Sequence, residues 1–438
     1  MRYLLNILYL LLLVLALPRL IYAALRYGKY RDGWGAKFLG RLPIRTGPRH
    51  CIWLHAVSVG EVNLLRPLLT AIEAAYPDWD CVITTTTLPA YELAKTKYAP
   101  RTVAYCPLDF SWAVSRALRH VRPDVLILTE LELWPNLITT ARRKGVRLAI
   151  VNGRMSDRSW RRYAHIQTFM RSLFQHIDLL AVQNEEYAQR FRDLGAPADR
   201  VHVTGSIKFD GAQTDRDNPL TKRLSSLANI TARDVVFLAG STQHPEEKLA
   251  LDTYRRLVPQ FPQLRLILVP RHPKHFDEVS ELLKRTGLPW AKRSELEQVT
   301  DDAARRVLLV DTIGELGGWW GSAQIAYVGG SMGSRGGQNM IEPAAYGAAV
   351  AFGPNTQNFR DVVSLMMSHE AAAEVHNGKE LTAWVERCLR DPAYAQDLGA
   401  RARSLVATQV GATDRTLDLL RALLEPPSCS TTGESLAA

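Results

Sequence analysis

Residues 325–352 read IAYVGGSMGSRGGQNMIEPAAYGAAVAF. An apolar run opens into a loop carrying Gly329, Gly330, Gly333, Gly336 and Gly337. A stretch of helical character follows from about Asn339 to Tyr346, stopped by Gly347, and then a second apolar run, AAVAF. Strand, helix and parallel strand in that order form the unit from which open α/β sheets are built. Glycines let a backbone approach an anion closely, and a helix start offers unpaired N–H groups, so the loop reads as a nucleotide or phosphate cradle. Its spacing is neither GxGxxG nor a Walker loop. Glu342, one turn into the helix, is placed to accept from ribose hydroxyls.

Working outward, VVFLAG, LRLILVP and RRVLLVD extend the same pattern toward the N-terminus, with PEEKLALDTYRRLVP as an intervening helix. Before them, residues 210–233 are polar and lack a strand run, which suits a linker with one short helix. A second alternation fills the first half of the chain: CIWLHAVSV, DCVITTTT, TVAYC, DVLILTELE, VRLAIVN, LLAVQN and VHVTG. These runs are nearly continuous and β-branched-rich, as strands buried on both faces of a parallel sheet must be. The expected fold is therefore α/β, with two Rossmann-like parallel-sheet domains: residues 29–209, the linker 210–233, and residues 234–408. A C-terminal helix and tail occupy 409–438. Open sheets of this kind bind ligands at the carboxyl ends of their strands, so a cleft between the domains is the expected working surface.

The ends of the chain set the partners. Residues 3–17, YLLNILYLLLLVLAL, are apolar except for Asn6, and LIYAAL continues the run past Pro18 and Arg19. Arg19, Arg26, Lys29, Arg31, Lys37, Arg41, Arg45 and Arg49 then face one acid, Asp32. Residues 1–28 are expected to be a membrane anchor, spanning or lying in the interface, and the basic collar keeps the body of the protein cytoplasmic on an anionic inner-membrane surface. A cleaved signal peptide would carry its charge before the apolar run, where only Arg2 stands. The net charge of +10, from 54 Lys and Arg against 44 Asp and Glu, calls for an anionic partner. No nucleic-acid partner is expected, because the basic residues gather beside the anchor and are not interleaved with aromatics. Cys51, Cys81, Cys106, Cys388 and Cys429 are scattered and form no CxxC pair, so neither a zinc site nor a disulfide framework is indicated.

Each strand exit can be asked for its chemistry. HAVSVGE ends in Glu61, which begins a helix with leucines at three- and four-residue spacings. As a helix-start acid Glu61 favours the macrodipole; at a glycine-flanked exit facing the presumed cleft it is a candidate general base, although the dipole favours its charged form. LTELELWPNL places Glu130 and Glu132 on one side of a strand end, with a solvated strand end or a helix cap as the alternative reading. VTGSIKFD presents Lys208 and Asp210. In the second domain LVPRHP ends in Arg271, suited to bidentate recognition of phosphate or carboxylate. Ser241 and Thr242 follow VVFLAG, and DTIGEL offers backbone groups at Ile313 to Glu315 for a nucleobase. His272 and His275 lack a third ligand and read as loop histidines; no metal and no cofactor are called for.

HAVSVGE, LTELELWPNL, VQNEEYAQRF, VTGSIKFD, LVPRHP, DTIGEL and GGS followed by RGGQNMIEPAAYG, in this order behind an apolar N-terminus, resemble the 3-deoxy-D-manno-octulosonic acid (Kdo) transferases of lipopolysaccharide assembly. The match covers nearly all of residues 30–425. The resemblance implies GT-B architecture, CMP-Kdo as donor, a tetraacyl lipid A precursor (lipid IVA) as acceptor, and inversion at the anomeric carbon. It further implies Glu61 as proton acceptor and Glu130 and Lys208 as supports of the transition state. The donor would be held by Pro270, Arg271, Ile313, Gly314, Glu315, Gly330, Ser331, Asn339, Met340, Ile341 and Glu342. The readings kept beside it are another GT-B nucleotide-sugar transferase or epimerase, and a membrane-tethered nucleotide-binding protein without catalysis.

Overall fold

The computed structural model describes residues 2–27 and 32–425; Lys29 and Arg31 of the basic collar, Cys429 and the tail from residue 426 lie outside them. The chain divides into two compact units. The first holds Met1–Gly211 and Val410–Ala438, the second Ala212–Gln409.

The first unit carries β1 Cys51–His55, β2 Asp80–Thr85, β3 Thr102–Tyr105, β4 Val125–Thr129, β5 Arg147–Gly153, β6 Leu179–Val182 and β7 Val201–Val203. They form a seven-stranded sheet in the order β3-β2-β1-β4-β5-β6-β7. Every pairing is parallel. The apolar runs became strands because both faces are covered: Trp53, Leu126, Leu148 and Phe174 lie in one apolar cluster, and Ile52, Leu54, Ile127 and Leu65 in another. Between β1 and β4 the order reverses direction. This is the topological switch point, where the crevice beyond the strand ends takes ligands in open α/β sheets.

The second unit repeats the plan. Its strands are β8 Val235–Thr242, β9 Leu264–Pro270, β10 Ala291–Lys292, β11 Val307–Leu309, β12 Ile325–Val328, β13 Ala349–Phe352 and β14 Ala373–Glu374. Their order is β10-β11-β9-β8-β12-β13-β14, with the switch point between β8 and β12. Two-residue β10 and β14 carry too little pattern to be read from sequence.

Two boundaries differ from the sequence expectation. Residues 210–233, expected as a linker with one short helix, hold that helix as Pro219–Leu227, and from Ala212 onward they belong to the second unit. The helix Pro219–Leu227 packs on the helix Leu316–Ser322, and Arg216 donates to the carbonyls of Tyr346, Gly321 and Ala323 at 2.8–2.9 Å. The C-terminal helix Ala412–Leu424 does not stand apart. It buries Leu420 and Leu424 in the same cluster as Leu65 and Leu68, and Asp210 caps its start by accepting from Gly411 at 2.7 Å. The residue expected to open the linker therefore fastens the returning chain to the first unit.

Residues Arg2–Tyr27 form one helix. Among the described residues no helix is long and apolar enough to cross a membrane, so the spanning form of the expected anchor has no support. The collar is also less free than its composition suggests. Arg45 donates to the carbonyls of Val121 and Arg49 and pairs with Asp80 at 3.0 Å, and Lys37 lies 4.1 Å from the centre of the Tyr105 ring.

Candidate active site

The switch point of the first unit gathers the acids. Ser58 caps the helix Val59–Ala75 and accepts from the Glu61 N–H at 3.3 Å, while its own hydroxyl donates to Glu61 Oε1 at 2.8 Å, a variant of the capping box in which the carboxylate reaches the Ser58 hydroxyl instead of its N–H. Glu61 Oε2 accepts from the Val57 N–H at 2.9 Å and from Thr129 Oγ1 at 2.7 Å. Thr129 ends β4, so the Glu61 carboxylate ties together the exits of the two strands that flank the crevice. Glu61 is thus a helix-start acid, and its carboxylate is bound at the β1 and β4 exits. A carboxylate has roughly four acceptor directions. Two on Oε2 and one on Oε1 are used by these partners, which leaves Oε1 one direction for a further proton donor.

Beside it, Glu130 holds φ at +53°, a left-handed conformation that a side chain with a Cβ adopts only at some cost. That turn aims its carboxylate at Lys208, and the two pair at 3.1 Å. Lys208 sits in the turn Ile207–Phe209, whose first N–H is bound by Asn152 Oδ1 at 3.1 Å; Asn152, in β5, also has positive φ. Glu132 accepts from Trp134 Nε1 at 2.8 Å. Burial pushes its pKa up to about 7; the Trp134 hydrogen bond opposes the rise and the charges of Glu61 and Glu130 add to it. His55, fully buried at the end of β1, is pushed down to about 4 by burial and is neutral.

The second unit departs from the expected cradle. The N–H groups of Gly330, Ser331 and Met332 do not point outward: all three donate to Glu246, at 2.6, 2.9 and 2.9 Å. Glu246 is 1% exposed and also accepts from the Gln243 N–H at 2.9 Å and the Tyr327 hydroxyl at 3.0 Å. A Cβ on Gly329 would lie 2.7 Å from its Oε2 and 2.6 Å from Thr242 Cα, which is why this exit needs glycine. The helix start is occupied as well, since the Ile341 N–H donates to Asn339 Oδ1 at 3.1 Å. That helix runs only from Ile341 to Ala345, shorter than expected, and the Met340 and Ile341 side chains are core. Glu342 accepts from Asn339 at 3.0 Å; burial raises its pKa, with Asn339 and Arg271 opposing.

Side-chain cations gather at the neighbouring exit of β9. Arg271 is exposed beyond buried Pro270, and its N–H continues the ladder to the Thr242 carbonyl at 3.0 Å. The His272 pKa is lowered by burial and then by Arg271, Lys274, His275 and Arg335, so four basic groups converge near the β9 exit. Among the described residues no group of His, Cys, Asp and Glu is placed to hold a metal. The Glu315 side chain is engaged elsewhere. Arg293 grips it bidentately at 2.7 and 2.8 Å with help from Thr312, and although burial opposes it, its pKa is lowered. What remains available at that exit is backbone at Gly314, with φ +90°, and the Ile313 side chain, 80% exposed.

Residues 31–211 match a family model described as 3-deoxy-D-manno-octulosonic-acid transferase (kdotransferase). A 3-deoxy-D-manno-octulosonic acid transferase from Haemophilus influenzae is 33% identical over 381 residues, spanning 86% of this chain and 88% of that protein. One from Bordetella pertussis is 34% identical over 382 residues, spanning 84% and 86%. The chain belongs to the Kdo transferase family. It is accordingly a glycosyltransferase of Kdo metabolism. In fold it is similar to UDP-GlcNAc 2-epimerase from Neisseria meningitidis, with a TM-score of 0.56 at 12% identity over 85% of this chain and 100% of that one, a likeness of GT-B-like architecture alone.

Within this Kdo transferase the sequence reading missed two residues of the candidate site. Thr129 is an unremarkable strand end until β1 and β4 are seen to be neighbours, and Glu246 was read only as part of a helix. A capping-box signal, Ser58-x-x-Glu61, was present for the first unit. Glu132 gives a prediction that needs no substrate. Its folded pKa lies above that of an unfolded glutamate, so its contribution to stability is full below about pH 4.5 and is lost as pH rises through about 7. Glu132→Gln should match the wild type in thermal unfolding at pH 4, where both side chains are neutral. At pH 8 it should be the more stable by about 1–2 kcal/mol after allowance for solvent screening. A variant less stable than wild type at pH 8 would show that the Glu132 charge is compensated in the folded protein.

Proposed function

We propose that the protein is an inverting transferase that moves Kdo from CMP-Kdo to a primary hydroxyl of a lipid A precursor, with Glu61 Oε1 as the proton acceptor. The observation that carries this reading is the unfilled acceptor direction on Oε1 in a carboxylate otherwise fixed by Val57, Ser58 and Thr129. A general base must be held rigidly and still have room for the proton it takes. Glu246, the corresponding acid of the second unit, meets five donors and has no such room.

In the step, the acceptor oxygen forms its bond to the Kdo anomeric carbon as its proton passes to Glu61. The bond from that carbon to the CMP phosphate oxygen breaks, and CMP leaves with the electron pair. Lys208, oriented by Glu130, stabilises charge developing on the donor, and Arg271 with its neighbouring cations takes up the leaving phosphate. Backbone at Ile313 and Gly314 and the partly buried Asn339–Glu342 pair receive the nucleoside. Gly330 and Ser331 act through Glu246, by shaping the loop. The helix Arg2–Tyr27 leaves Ile7, Leu11, Val14 and Leu15 more than half exposed, an apolar surface that we assign to the cytoplasmic face of an anionic inner membrane, lying in the interface and placing the enzyme where a lipid acceptor resides.

A donor screen tests the reading. With a lipid A precursor as acceptor, CMP-Kdo should be consumed and UDP-hexosamines should not; turnover of a UDP-sugar without CMP-Kdo turnover would reassign the enzyme to another GT-B activity. Lys208→Ala should lower kcat by about 10²-fold with little change in the KM for CMP-Kdo, the signature of a contact made mainly in the transition state.

A further inference from the structure

The helix Arg2–Tyr27 meets the first unit along one stripe. Leu5, Asn6, Tyr9 and Leu13 are turned inward at helical spacing, and the residues between them are exposed. A polar clamp fixes this stripe. Asn6 Nδ2 donates to Ser111 Oγ at 2.7 Å, Asn6 Oδ1 accepts from the Ser111 N–H at 3.0 Å, and the Tyr9 hydroxyl donates to Asp109 at 3.1 Å. Asp109 is 5% exposed and also accepts from the N–H groups of Asn136 and Leu137 at 2.9 and 2.8 Å.

Past this clamp the helix and the unit enclose a groove of about 320 Å³, walled mainly by Leu12, Leu13, Leu108, Phe110, Leu133 and Trp134. The carboxylate in its wall, Asp109, is already satisfied by the clamp, so the groove has apolar surface to offer and little polar demand. Its volume lies at the small-ligand end of binding pockets. At about 30 Å³ per water-sized group, it has room for on the order of ten methylene-sized groups. That is one hydrocarbon chain rather than several. Trp134 links the groove to the acids: its ring lines the wall, its Nε1 donates to Glu132, and its edge meets His55 at 5.9 Å between ring centres.

We propose that this groove holds one fatty acyl chain of the acceptor, so that the sugar to which the chain is attached is delivered to the Glu61–Glu130–Glu132 cluster past Trp134. This rests on the lipid-acceptor reading above. It makes the N-terminal helix part of the acceptor site and not merely a tether.

The test uses the full chain in vesicles of phosphatidylcholine and phosphatidylglycerol. An acceptor analogue brominated along one acyl chain should quench tryptophan fluorescence saturably, and Trp134→Phe should remove the saturable part. Brominated phospholipid should not produce it. In a second arm, Leu13→Phe and Leu108→Phe, which narrow the groove, should each raise the KM for the acylated acceptor about tenfold, the scale of one or two misplaced methylene groups. The KM for CMP-Kdo and turnover of a deacylated glucosamine disaccharide should stay unchanged. Equal quenching by phospholipid, no Trp134-dependent quenching by the acceptor analogue, or an equal loss with acylated and deacylated acceptors would overturn the proposal. Quenching without Kdo transfer to any acceptor would leave the groove in place and overturn the assigned reaction instead.

Discussion

Glu61→Gln should reduce the turnover number of Kdo transfer by about 10²–10⁴-fold, the usual contribution of a positioned general base, while CMP binding to the second unit stays unchanged. The amide still accepts from Val57 and Thr129 through one oxygen, so the helix start should survive, with a modest loss where its NH₂ group replaces an acceptor. Kinetics alone do not distinguish a lost base from a disturbed crevice. Ser58→Ala supplies the control, because it removes the hydrogen bond to Oε1 and the cap on the Glu61 N–H but keeps the carboxylate itself, with Val57 and Thr129 still bound to Oε2. It should cost far less turnover than Glu61→Gln. Normal turnover in Glu61→Gln would remove Glu61 from the chemistry, and a Ser58→Ala loss as large as that of Glu61→Gln would make positioning the dominant effect.

Glu246→Ala should have the largest effect on stability. It strands the N–H groups of Gln243, Gly330, Ser331 and Met332, each of which costs about 1–3 kcal/mol when buried without a partner. Summed, this is comparable with the whole stability of an ordinary domain, so the second unit should unfold at much lower denaturant concentration. Glu246→Gln keeps part of the network and should remain folded, with the glycine loop loosened and the KM for CMP-Kdo raised. The adjacent Glu247 provides a contrast in sign. Burial raises its pKa, so Glu247→Gln removes a charge that the fold disfavours and should be tolerated. Urea unfolding of the three variants separates these cases. Equal stability of Glu246→Ala and wild type would mean that the loop finds other partners or water.

The sheets were legible in the sequence because their strands are covered on both faces, which leaves runs such as VLILT and LRLILVP with almost no polar interruption. Glu61, Glu130, Lys208 and Arg271 were legible because each stands within a few residues of such a run. What sequence did not disclose is non-local. The amides of Gly330, Ser331 and Met332 satisfy a carboxylate some 85 residues earlier in the chain, which glycines alone do not announce. The return of Ala412–Leu424 to the first unit depends on Asp210, whose capping role nothing local announces. Strand alternation placed Glu130 and Glu132 on one side of a strand end, yet Glu130 pairs with Lys208 and Glu132 is held by Trp134 in a buried place that shifts its pKa.

Incubating the chain with CMP-Kdo and a tetraacyl lipid A precursor and weighing the lipid product separates Kdo transfer through Glu61 from mere binding. The wild type should yield a lipid heavier by whole Kdo residues, with CMP released in equal amount, and Glu61→Gln should leave the lipid unmodified. Unmodified lipid from a wild-type protein that binds CMP-Kdo, or the same heavier product from both proteins, would contradict transfer through Glu61.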